Sequence, residues 1–178
     1  MRYKVSDIED QIIATLRADT TNFSDVMVDT FAGQVSPQMF MNPEYMQGFI
    51  KLLPFCLVSY QGRVGTKSDR DSSGLLYVHT LTYRLYTGAQ SLRSSQESVR
   101  SSYAMMAACF DDLHGKIPLM ASGQAMPGLT ALSGTPISVT EFTPLSPLME
   151  TGGKDEGIIV NLPGIVVYAS DFSIRLVA

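Results

Sequence analysis

The strongest constraint on the fold lies between Ser95 and Gly115. Val99, Tyr103, Met106, Phe110 and Leu113 recur at steps of four, three, four and three. That spacing places all five on one face of an α-helix. Ser98, Arg100, Ser101, Asp111 and Asp112 fall off the stripe and suit water, while alanines at 104, 107 and 108 would let another element approach closely. His114 stands at the last turn and Gly115 just past it, where a left-handed stop residue is expected. Such a helix, ~18 residues, is about 27 Å long, enough to cross a small sheet. Burying its five large side chains contributes roughly 8–15 kcal/mol gross, as an upper bound. The strands on either side are expected to form the sheet it covers.

Those strands follow the period-two rule. Phe55–Tyr60 is a compact β-prone run. From Leu75 to Tyr86, Leu75, Tyr77, His79, Leu81, Tyr83 and Leu85 share one face. From Ile165 to Val177, Val166, Tyr168, Phe172, Ile174 and Leu176 oppose Asp171, Ser173 and Arg175. Both are patterns of half-buried antiparallel strands, longer than the usual five or six residues. Between the first two runs, residues 61–74 hold three glycines, three serines and five charged residues. That stretch is expected to be a long polar loop closing a hairpin.

The rest of the chain fills in around this frame. Ser6 and Glu9 have capping-box spacing, and Val5, Ile8, Ile12 and Leu16 mark a first helix ending near Ala18. Asp19-Thr20-Thr21-Asn22 is turn chemistry. Val26, Val28 and Phe31 alternate weakly, as a short strand would. Asn42-Pro43-Glu44 starts a second helix that Pro54 stops. Residues 116–129 are expected to fold back as a loop, followed by a strand over 137–142 and a second long loop over 144–157. The sum is one α+β domain of two layers: a mixed or antiparallel sheet of about four to five strands, packed by helices.

Composition narrows the function. The chain has 178 residues and a net charge of -4, which argues against general nucleic-acid binding. Charged residues make up 17%, sparse enough to suggest that partners cover part of the surface. Cys56 and Cys109 both fall in apolar runs and are expected to be buried free thiols. Two cysteines and two histidines make a poor zinc set. No run reaches the ~18 apolar residues of a membrane span, and no signal peptide is recognisable, so synthesis in the cytoplasm is expected and the Asn22-Phe23-Ser24 sequon carries no weight. Residues 62–68 superficially match a phosphate loop, but Thr66 splits the Gly-Lys pair and a strand follows where a helix is required. His79 alternates within a strand, and His114 ends a helix. Glu150, Asp155 and Glu156 stand among glycines without calcium-loop spacing. These residues form no catalytic, cofactor or metal constellation.

The order of parts resembles the tail-terminator proteins of Mu-like contractile-tailed bacteriophages. The resemblance rests on the opening Ile8-Glu9-Asp10-Gln11-Ile12-Ile13-Ala14-Thr15-Leu16-Arg17 and on Leu53-Pro54-Phe55-Cys56-Leu57-Val58-Ser59-Tyr60-Gln61-Gly62. It continues through Thr82-Tyr83-Arg84-Leu85-Tyr86, the helix from Ser102 to Gly115, and the closing strand from Val167-Tyr168. It implies a homo-oligomeric ring, six copies by expectation, capping the head-proximal end of a tail tube. The ring would contact tail tube, and sheath where present, on one side and a head-tail connector on the other. DNA would pass through without being gripped. Under this resemblance the 61–74 loop is the expected subunit or tail contact, with Arg63, Lys67, Arg70 and Asp71 forming rim ion pairs. Two other readings stay open: a neck or tail-completion protein, and a small enzyme or ligand-binding domain with a long-range site.

Overall fold

A computed structural model of the chain describes residues 5–32, 48, 51–68, 76–90, 95–120, 122–126, 128–134, 160–162 and 165–177. The expected helix after Asn42, apart from helical Gly48, the strand over 137–142 and the loop over 144–157 lie outside the described residues, as do Arg70 and Asp71.

The first helix, α1 (Val5–Ala18), buries Ile8, Ile12, Ile13 and Leu16. It begins one residue ahead of Ser6, so Ser6 stands in its first turn and is not the cap. Asp19 is a cap instead. Its carboxylate accepts from the amides of Thr21 (3.0 Å) and Asn22 (3.2 Å) and starts the single turn α2 (Thr20–Phe23). A short strand follows, β1 (Met27–Thr30). Arg17 ties it to α1 by donating from Nε and Nη2 to the Val28 carbonyl at 2.9 and 2.7 Å.

The sheet is built on β2 (Phe55–Ser68), β3 (Leu76–Gln90) and β6 (Ile165–Val177), with β4 (Ser133–Gly134) and β5 (Val160–Leu162) as short additions. The strand order is β1-β2-β3-β6-β4, with β5 also on β6. Parallel pairing of β1 with β2 and antiparallel pairing elsewhere make it a mixed sheet. This is the expected α+β architecture, with six described strands in place of four or five. The closing strand has the bounds its alternation gave.

The long helix, α3 (Ser95–Leu113), lies on the same face of the sheet as α1 and packs against β3 and β6. Met106 and Leu113 are fully buried as expected, whereas Tyr103 and Phe110 are half-buried at the margin. Ser102, Met105, Ala108 and Cys109 complete a buried face wider than the five-residue stripe, because the helix spans two strands. Asp112, expected in water, is half-buried. Gly115 has φ 76°, the left-handed stop the sequence called for.

One core lies between helices and sheet: Ile8, Ile12, Leu16 and Cys109 meet Cys56, Val58, Leu81, Tyr83, Leu85, Phe172 and Ile174. A smaller cluster occupies the opposite face, where Phe55, Leu57, Tyr86, Val167 and Ala169 are covered by Met27, Phe31, Leu52 and Leu53. The Phe31 and Tyr86 rings lie 4.8 Å apart there. Two glycines allow the packing of large rings. A Cβ on Gly88 would come within 2.5 Å of Phe55 Cζ, and one on Gly134 within 2.4 Å of Phe172 Cε1. Neither ring has room to retreat, since both are wholly buried.

The expected loop over 61–74 is overturned along most of its length. Residues 61–68 continue β2 and pair with β3 as far as Ser68–Leu76. The polar glycine-rich composition suggested a turn, but here it reflects a strand that leaves the core. A bulge explains why alternation was hidden. The register shifts between Tyr60 and Gly62, and Gly62 takes φ 145°. Even-numbered residues face the helices before the bulge, and odd-numbered ones after it.

Replacing Gly88 by Ala is expected to destabilise the fold by about 1–3 kcal/mol through overpacking against Phe55. Urea unfolding of the two proteins measures it; equal midpoints would contradict the packing described.

Candidate functional site

Past the bulge, β2 runs beyond the helices and becomes exposed. Its inner side pairs with β3 through Ser68. Its outer side carries β1 only as far as Thr30 opposite Val58, with Phe31 N donating to Val58 O at 2.7 Å. Among the described residues no strand pairs that outer side from Ser59 to Ser68. An uncovered edge of this length offers backbone donors and acceptors to another chain.

Two of the expected contact residues lie on this arm. Arg63 is exposed at the position opposite Leu81. Lys67 belongs to the same strand, opposite Tyr77. The described arm, residues 61–68, contains these two cations and no acid. Gly65 stands opposite His79, and a Cβ there would meet the His79 ring at 3.0 Å, so the arm's glycine makes room for the half-buried imidazole. Sequence reasoning passed over Val64. It is 68% exposed, an isolated apolar side chain in a polar run.

A second surface lies across α1 and the end of α3. A cleft of about 440 Å³ is lined by Ile12, Thr15, Asp112, Lys116, Ile117 and Leu119, among others. Ile117 and Leu119 are 39% and 47% exposed at its lip. With Val64 they are the exposed large apolar side chains of the described residues. The segment that carries them is pinned by Lys116 N to Leu113 O (3.1 Å), Leu132 N to Lys116 O (2.8 Å) and Met126 N to Pro118 O (3.0 Å). His114 supports it from below: Nδ1 accepts from Gly134 N at 3.2 Å, and the ring stacks on Phe110 at 4.4 Å. His114, at the end of α3, thus has a structural role.

The electrostatics of the cleft centre on Asp112. Burial, and then the neighbouring Asp19 carboxylate, hold its carboxyl above the usual range, while Lys116 Nζ at 3.6 Å from Oδ1 draws it down. Asp19 shifts the other way, chiefly because Asn22 Nδ2 donates to it at 2.6 Å.

Elsewhere among the described residues, several ionisable groups are committed to structure. Cys56 and Cys109 are buried free thiols, as expected, with Sγ atoms 3.5 Å apart. Burial first, then the adjacent Cys56, pushes the Cys109 thiol well up, which keeps it protonated and unreactive. Arg84 and Asp171 form a two-point ion pair at 2.6 and 2.8 Å across β3 and β6. Tyr83 donates to the Val5 carbonyl at 3.1 Å and anchors the start of α1. Among the described residues no three His, Cys, Asp or Glu side chains are grouped to hold a metal ion, and no helix is long and apolar enough to cross a membrane.

No protein-family model matches the chain, and no curated protein sequence does. A solved structure described as the virion of a native gene transfer agent particle contains a similar chain. The likeness covers 99% of this chain and 100% of that one, at 18% identity and a TM-score of 0.46. The overlap is loose.

A carboxyl raised in the folded state stabilises it most below the unfolded value, and that contribution is lost as pH rises through the folded value. Asp112→Asn removes this loss. Chemical unfolding is therefore expected to show the variant gaining stability relative to the parent between pH 3.5 and pH 7. A difference that stays constant with pH would contradict the environment described for Asp112.

Proposed function

We propose that this chain is a structural subunit of a tailed phage-like particle and acts as its tail terminator. It would form a ring, six copies by the resemblance, on the head-proximal end of the tail tube. There it would stop tube growth and present a surface to the head-tail connector. The observation that carries the reading is the extension of β2 past the helices with its outer edge uncovered among the described residues. Such an edge, projecting from a closed two-layer body, suits a protein that works by fitting against neighbours. The residues quoted for the tail-terminator resemblance supply the choice among assemblies.

Catalysis has no part in this mechanism. One side of the ring matches the last ring of the tube, and the other denies the next tube subunit a place. Arg63, Lys67, Arg70 and Asp71 are proposed as contact residues, where rim charges set partner choice and encounter rate more than affinity. A lumen bordered by a chain of net charge -4 lets DNA slide through without being held.

Negative-stain microscopy of tails tests the reading. Particles made without this chain are expected to show tubes of uncontrolled length that fail to join heads, and gold-labelled chain is expected at one end of normal tails. Normal tail length and head joining in its absence would overturn the proposal.

A further inference from the structure

The arm and the cleft have complementary properties, and they lie on different parts of one molecule. Val64 is exposed on the arm, while Ile117 and Leu119 are exposed on the lip of the cleft. Arg63 and Lys67 stand on the described arm, and the 61–74 stretch as a whole has three cations against two acids. The cleft wall carries Asp112, which is paired with Lys116 at 3.6 Å and has the Asp19 carboxylate as a further neighbour outside the lining. We propose that the arm of one copy enters the α1–α3 cleft of the next, edge of β2 first, and that this contact joins the copies of the chain head to tail. The inference rests on the ring reading above and names the surfaces that would build it.

The geometry of the strand supports the fit. Arg63 and Val64 are consecutive, so their side chains leave the strand on opposite sides. A strand entering the cleft edge first sets Val64 against Ile117 and Leu119, and Arg63 toward Asp112. Burial of the three apolar side chains would drive association, and the opposite charges would fix register and direction. Because the two surfaces differ, the contact is heterologous. Repeated around an axis, it generates a ring if the rotation closes. A second copy of the chain supplies both the apolar and the charged partner without any further protein.

Sedimentation of the full chain with Val64→Asp and Leu119→Asp tests this. Both positions are exposed, so thermal midpoints close to the parent's are expected; Val64→Ser and Leu119→Ser replace any variant that misfolds. Each variant alone is expected to self-associate at least tenfold more weakly than the parent and to sediment near the 19.4 kDa of a single chain. Mixed in equal amounts, they should form pairs and nothing larger, because one retains its cleft and the other its arm. High salt should weaken the parent assembly. Parent-like assembly by both variants would overturn the arm–cleft contact and leave the ring reading standing. A parent chain that stays a monomer at every concentration, and on tail tubes as well, would overturn both.

Discussion

The architecture depends on β3 being paired along both sides. From Val78 to Gly88 it is bonded to β2 on one side and to β6 on the other. Double pairing fixes which residues of the three strands face the helices, and a slip of one residue would turn every one of them over. Leu81, Tyr83 and Leu85 then line up with Val58, Phe172 and Ile174 as a single apolar surface. The helices settle on that surface. Tyr83 adds a direct tie from the middle of the sheet to the start of α1.

The break in that regularity is as consequential as the pairing. The bulge beside Gly62 inverts the phase of β2 and comes where the strand emerges from under the helices. Before it, Phe55 to Val58 are wholly buried; after it, Arg63, Val64 and Gly65 are exposed. One continuous strand thus belongs half to the core and half to the surface. A strand bonded along one edge can hold its shape outside the core, whereas a loop of the same composition would have to be ordered on binding at an entropic cost.

Much of the core was legible in the sequence because it obeys simple periods. α1, α3 and β6 carry their apolar residues at spacings that admit one interpretation, and the helix stop at Gly115 required the residue found there. The arm was illegible for three physical reasons. Its alternation is interrupted by the bulge, its faces are not buried and so need no apolar pattern, and Gly65 serves cross-strand packing with His79. Short strands such as β4 leave even less trace, since Gly134 is there to admit the ring of Phe172. At the surface, Arg63 and Lys67 could be picked out as charges in a polar run. Val64, Ile117 and Leu119 could not, because exposure of an apolar side chain is a property of the fold.

Function is proposed to reside in strand edges and surface shape, while the buried polar groups hold the body rigid. Amide hydrogen exchange across residues 61–68 addresses that claim most directly, comparing dilute, unassembled chain with chain in its assembled form. Those amides of 61–68 that point away from β3 are expected to exchange readily in the first and to be strongly slowed in the second, while the core of β3 is protected in both. Equal exchange of the 61–68 amides in the two states would contradict it.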